Sequence, residues 1–219
     1  MKRVVEKARM HPIEPLLRFY FITDDGKATC SPVEQVEVAL TAGATLVQYR
    51  NKQFGLQWYE EVRTIRTMCR QAGVPLVIND NVLLAKAVDA DGVHLGQDDE
   101  APHLARQVLG SAAIVGLSVS TTDELAHSRL DGCDYIGSGP VFGTRTKTDA
   151  KPVRGLDGLA AMVAAVPLPV VAIGGINAAN AADCFVRGAA GVAVISAITR
   201  AQHPQTAARA MASVCRTAG

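Results

Sequence analysis

The sequence has no C-x-x-C pair, and its five cysteines, Cys30, Cys69, Cys133, Cys184 and Cys215, are widely spaced and odd in number. Neither a disulfide framework nor a zinc site fits that spacing, and isolated thiols suit a reducing, cytoplasmic setting. Charge of one sign is equally scarce. The net charge is only +1, so nothing global draws the chain to nucleic acid or to a membrane, and any anion site must be local. A long apolar run is missing too: Leu159 to Ile176 is broken by Pro167, Pro169 and Gly174-Gly175 into helix, turn and strand. The start, Met1 to Arg18, is basic at Lys2, Arg3, Lys7 and Arg9. It lacks the roughly 7–15-residue apolar core of a signal peptide and reads as an N-terminal helical lead-in. No linker or low-complexity stretch interrupts residues 1–219, so one domain is expected.

What is present is apolar and alternating. With 48% hydrophobic residues the chain can build a large core. Eight short apolar runs read as strands: Phe19–Thr23, Leu46–Arg50, Leu76–Asn79, Gly92–Leu95, Ala113–Ser118, Tyr135–Ser138, Val170–Ile173 and Val192–Ser196. Between them the period becomes helical. Ser31-Pro32-Val33-Glu34 opens one helix with a capping box, and Thr121 with Glu124 opens another. Helices close on Gly43, Gly73, Gly132 and Gly188, where glycine accepts the left-handed conformation. Strands that are apolar throughout have both faces covered, as in a parallel sheet. Eight βα units predict an α/β fold of (β/α)8 TIM-barrel type, with an open doubly wound sheet as the alternative.

In such a barrel, chemistry gathers at the C-terminal ends of the strands. The second strand runs out at Gln48-Tyr49-Arg50-Asn51-Lys52, where Arg50 and Lys52 can hold a phosphate. A solvated basic turn is the other reading. Asp80 closes the third strand after Asn79, and Asp98-Asp99 follow the fourth. Two carboxylates ~4 Å apart repel by roughly 4 kcal/mol at an effective dielectric near 20, so converging carboxylates share a proton or a cation. Oxygen ligands beside a phosphate suit Mg2+. Alone, either Asp reads as a helix N-cap, and Asp98 is expected to be one. Phe142 to Thr148 forms a hydroxyl-rich basic loop containing Thr144, Arg145, Thr146 and Lys147. Gly174-Gly175 with Asn177 at a helix start, and Ile195-Ser196 at the last strand, match the phosphate site that barrels carry after strands seven and eight. His94, inside an apolar strand, reads as a packed side chain.

Taken in order, Gln48-Tyr49-Arg50-Asn51-Lys52, Ile78-Asn79-Asp80, Gly92 to Asp99, Gly116-Leu117-Ser118, Gly139-Pro140-Val141-Phe142 with Thr144 to Lys147, Gly174-Gly175-Ile176 and Ile195 to Ile198 resemble the thiamine-phosphate synthase family. The resemblance spans about Phe19 to Ile198. It implies a TIM barrel that joins a hydroxymethylpyrimidine diphosphate to a thiazole phosphate, with Mg2+ as cofactor and pyrophosphate as second product. It further implies that Asp80 and Asp99 hold the metal. Gln48, Tyr49, Arg50, Asn51, Lys52, Asn79, Ser118 and Lys147 would bind the pyrimidine diphosphate, with Arg50, Lys52, Ser118 and Lys147 carrying catalysis. Thr144, Arg145, Thr146, Gly175, Ile195 and Ser196 would hold the thiazole phosphate. Gly143 stands where the family more often has proline, which bears on loop stiffness.

Three rivals remain at this stage. A thiazole tautomerase shares the barrel but has no diphosphate to bind, and His94 would be its base. A non-catalytic phosphate-ligand protein would bind without turnover. An isomerase or aldolase barrel would need a Lys or Glu at a strand end, and none is there apart from the Lys52 turn. Small-molecule partners are expected, without nucleic acid or membrane, and the sequence leaves a homo-oligomer open.

Overall fold

The computed structural model describes residues 12–24, 28, 30–144, 146 and 152–218. The apolar runs become β1 (Phe19–Ile22), β2 (Leu46–Tyr49), β3 (Leu76–Asn79), β4 (Gly92–Leu95), β5 (Ile114–Ser118), β6 (Tyr135–Ser138), β7 (Val170–Ile173) and β8 (Gly191–Val194). Each pairs in parallel with the next, and β8 returns to β1 to close the barrel. The helices are α1 (Glu14–Leu17), α2 (Pro32–Ala42), α3 (Tyr59–Ala72), α4 (Val82–Ala87), α5 (Pro102–Leu109), α6 (Thr122–His127), α7 (Gly155–Ala165), α8 (Ala181–Val186), α9 (Ser196–Thr199) and α10 (Pro204–Thr217). The expected (β/α)8 barrel is the observed fold. Among the described residues no helix is long and apolar enough to cross a membrane.

Strand alternation divides the core in two. One set of strand residues, including Phe19, Phe21, Val47, Tyr49, Leu76 and Ile78, packs beneath the helices. The other, including Tyr20, Leu46, Val77, Ile114, Tyr135 and Val171, forms the barrel interior, where Ile13 and Leu17 of the α1 region join it. Within the expected lead-in, Glu14–Leu17 form α1, packed against β1 and β8; Met1 to His11 lie outside the described residues. Each fully buried Leu, Ile, Val or Phe in these layers contributes about 1.5–3 kcal/mol.

Local signals act as the residue types require. Ser31 and Glu34 form the capping box of α2, and Gly43 and Gly73 close α2 and α3 with φ of 99° and 68°. Thr121 caps α6 by accepting from the Glu124 amide at 2.9 Å. At the N-terminal end of the barrel, Asp91 takes Arg66 and the Leu76 amide, and Asp134 takes Arg106 and the Val115 amide. That end is a set of clamps, which leaves the opposite mouth for chemistry.

Several strand ends differ from expectation by a residue or two, and two shifts bear on the site. The last strand ends at Val194, so Ser196 opens α9 rather than closing β8. Asn177 does not start a helix: its side-chain oxygen accepts from the Ala179 amide in a turn, and α8 begins at Ala181. An Asn that bonds its own backbone ahead favours a turn over a helix.

Candidate functional site

A cleft of about 330 Å³ opens at the C-terminal ends of the strands, lined by residues from the ends of β2, β3, β4, β5, β6, β7 and β8. Its two sides differ in chemistry.

On one side stand charges. Arg50, just past β2, is buried, yet its side chain lines the cleft. Its position is fixed through Thr23 at the end of β1, whose hydroxyl accepts from the Arg50 amide at 2.8 Å and donates to the Arg50 carbonyl. The Lys52 ammonium lies 2.5 Å from Oδ2 of Asp80. Asp80 itself has a left-handed backbone, φ 61°, and its amide donates to the His94 carbonyl at 2.8 Å. Asp tolerates that region better than most residues do, and the kink turns its carboxyl toward Asp99. Asp99 is held by the Gly96 amide, which donates to its Oδ2 at 2.6 Å.

The two carboxyls are hydrogen-bonding neighbours with opposite perturbations. Burial pushes Asp80 up, but the Lys52 ammonium and the contact with Asp99 outweigh it and hold Asp80 below the usual carboxylate range. Burial together with the charge of Asp80 pushes Asp99 up against the Gly96 amide. Such a pair suits a shared proton or a cation. No cluster of three or more His, Cys, Asp or Glu that could hold a metal occurs among the described residues. A cation held by Asp80 and Asp99 would therefore complete its shell from water and ligand oxygens, which is how Mg2+ binds. The donor set fits that ion.

Neither aspartate caps a helix. Asn81 caps α4 by accepting from the Leu84 amide at 2.8 Å, and α5 starts behind Ala101 with no side-chain cap. The expectation that Asp98 is an N-cap is thus corrected: it lines the cleft.

Among the described residues the other side is built of hydroxyls and glycine. Thr144, Thr146, Gly175, Ile195 and Ser196 all line it. The Thr146 hydroxyl donates to Ser196 Oγ at 2.9 Å, tying the β6 loop to α9. The same loop is stapled to the end of β7 by the Val141 and Phe142 amides, which donate to the Ile173 and Gly174 carbonyls.

Most of the expected residues meet in this cleft, Asn79 and Ser118 included. Three from β2 and its turn do not line it. Gln48 is buried with its amide on the Tyr20 hydroxyl. Tyr49 faces the helices and donates to Glu61 at 2.8 Å. Asn51 bonds its own turn, accepting from the Gln53 amide. Arg145 and Lys147 lie outside the described residues. The cleft also includes Gln97, whose side chain donates to the Ser118 carbonyl at 2.7 Å; its place just past β4 was the signal for it.

The comparisons with known proteins agree with this geometry. A family model described as thiamine monophosphate synthase matches residues 19–198. A thiamine-phosphate synthase from Chloroflexus aurantiacus is 48% identical over 88% of this chain and 89% of its own length. One from Bacillus velezensis is 41% identical over 90% of each chain. The solved structure of a thiamine phosphate pyrophosphorylase from Pyrococcus furiosus is 36% identical with a TM-score of 0.82, covering 93% of this chain and 98% of that one. A match that runs from β1 through α9, and so takes in every strand end that builds the cleft, makes this chain a member of the thiamine monophosphate synthase family.

Proposed function

We propose that this protein is a transferase that couples 4-amino-2-methyl-5-(diphosphooxymethyl)pyrimidine to thiazole phosphate, giving thiamine phosphate and pyrophosphate. The observation that carries the reading is the division of one cleft, among the described residues, into a charged side, with Arg50, Lys52, Asp80 and Asp99, and a hydroxyl and glycine side, with Thr144, Thr146, Gly175 and Ser196. Two ligands with different phosphate charge call for two such walls.

In this reading the diphosphate lies against Arg50 and Lys52, with Asn79 and Ser118 on the pyrimidine, and the smaller phosphate sits among the loop threonines and Ser196. The carbon that bears the diphosphate is benzylic in character, so loss of pyrophosphate leaves a cation stabilised by the ring amino group. The thiazole nitrogen then bonds to that carbon. No side chain need become a covalent nucleophile. Arg50 and Lys52 bind and neutralise the leaving oxygens, Thr144, Thr146 and Ser196 fix the thiazole in line, and the walls exclude water that would capture the cation. Asp80 and Asp99 would hold Mg2+, which when bound supplies charge neutralisation of the departing pyrophosphate. A cytoplasmic setting belongs to the same proposal and fits the five unpaired cysteines.

A tautomerase would need a base facing its ligand. Both ring nitrogens of His94 are within hydrogen-bond distance of protein hydroxyls, and His94 does not line the cleft. Incubation with both substrates and Mg2+, following thiamine phosphate and pyrophosphate together, tests the reading. Equal amounts of the two products are expected; folded protein that yields neither would overturn it.

A further inference from the structure

Inside the barrel, beneath the cleft, a continuous line of polar side chains crosses five strands. Gln48 Nε2 of β2 donates to the Tyr20 hydroxyl of β1 at 2.6 Å. The Tyr20 and Tyr135 hydroxyls are 2.8 Å apart. Tyr135 Oη of β6 is 3.0 Å from His94 Nδ1 of β4, and His94 Nε2 is 2.9 Å from Ser118 Oγ of β5. Of these residues only Ser118 lines the cleft.

With Gln48 Nε2 as the donor, a phenol that accepted on both sides would leave its own buried proton unpaired, so the arrangement that satisfies every link runs one way. Tyr20 accepts from the Gln48 amide and passes its own proton to Tyr135. Tyr135 in turn donates to His94 Nδ1. A neutral imidazole that accepts at Nδ1 carries its proton on Nε2 and donates it to Ser118 Oγ. Ser118, already an acceptor, is left with its own proton to give into the cleft.

The barrel is shaped to hold this line. A Cβ on Gly116 would come within 2.2 Å of the Tyr135 ring and 2.5 Å of His94 Nδ1, and one on Gly137 within 3.0 Å of the His94 ring. Two strands thus forgo an interior side chain where the two rings meet. Burial raises both phenols above their ordinary range, so each keeps the proton it must pass on.

We infer that Gln48, Tyr20, Tyr135 and His94 form a one-directional hydrogen-bond relay whose output is the Ser118 hydroxyl as a fixed donor toward an acceptor atom of the bound ligand. Gln48, Tyr20, Tyr135 and His94 are positioning residues. That the acceptor belongs to the pyrimidine diphosphate rests on the proposed function; the direction of the relay does not.

The test is the tautomer of His94 in the full-length protein, read by long-range proton–nitrogen correlation on histidine-labelled material at a pH where the imidazole is neutral. The His94 signals are assigned by their loss in His94→Gln. The relay predicts a proton on Nε2 and a bare Nδ1. A proton on Nδ1, or an averaged mixture, would overturn it, because Ser118 would then donate to the ring instead of to the ligand. A kinetic cycle gives the second readout. Tyr135→Phe and Ser118→Ala should each lower kcat/KM by about tenfold, and the double variant no further than Ser118→Ala alone. A double variant that multiplies the two losses would mean that Tyr135 does not act through Ser118. The tautomer is measured without turnover, so absence of thiamine phosphate synthesis would count against the reaction alone.

Discussion

The Lys52 ammonium and the Asp80 carboxylate meet at 2.5 Å across the gap between the β2 turn and the end of β3, with the lysine side chain 53% exposed. A pair this open to water adds only about 0–1 kcal/mol to stability. Its value lies in the cation it holds at the cleft. Lys52→Met is therefore expected to shift unfolding by less than about 1 kcal/mol while lowering kcat/KM for the pyrimidine diphosphate by about 30-fold or more. Denaturant melts and steady-state kinetics on the same preparation check both halves. A large loss of stability with unchanged kinetics would make Lys52 structural.

In the proposed function Asp80 and Asp99 hold Mg2+, and a metal requirement is its testable consequence. Chelation should abolish turnover, and added Mg2+ should restore it without refolding, since neither carboxylate carries a helix cap. Activity that persists in excess chelator would remove the metal from the account.

Gly175 is placed where no side chain fits. Its φ is +66°, and a Cβ there would come 2.5 Å from the Gly143 carbonyl and 2.8 Å from Phe142 Cβ. Gly175→Ala should cost about 1–3 kcal/mol of stability and raise KM for the thiazole phosphate more than KM for the pyrimidine diphosphate. Gly143→Ala meets nothing within 4 Å and should change stability by less than about 0.5 kcal/mol. Thermal melts and separate KM measurements decide between them.

Burial pushes the thiols of Cys69 and Cys133 up to about 12 and those of Cys184 and Cys215 up to about 11. The thiolate is the reactive form, so alkylation of these four in the folded protein at pH 8 should be far slower than in denaturant. The sign for stability follows. A thiol raised in the folded state favours folding below its unfolded pKa, and that contribution fades as pH climbs toward 11–12. Stability should fall over that alkaline range, and mass-resolved alkylation against pH tests the burial directly.

The strand ends were legible because each apolar run stops at a polar residue or a glycine, as in Ile78-Asn79-Asp80, Leu117-Ser118 or Ile173-Gly174. That pattern located eight strands to within about two residues and most of the cleft. What it did not carry was facing. Gln48 and Tyr49 are adjacent, and strand alternation sends one to the barrel interior and the other to Glu61 on α3. The register that decides between them is set by pairing with β1 and β3. The Tyr20, Tyr135 and His94 line was hidden for the same reason: it joins residues from three strands, each of which reads locally as core. His94 is indeed packed, and its partners, not its exposure, give it a role. Asp98 went the other way, since the helix it seemed to cap begins only at Pro102.

The central claim is that one cleft has two walls, with Asp80 serving only the diphosphate wall. Titration calorimetry of wild type and Asp80→Asn with each substrate separately, in the presence of Mg2+, tests it most directly. Asn accepts the left-handed backbone at this position, so the change removes charge and leaves the turn. The account predicts that the variant binds the pyrimidine diphosphate at least about 30-fold more weakly and thiazole phosphate within about twofold of wild type. An equal loss of both affinities would contradict it.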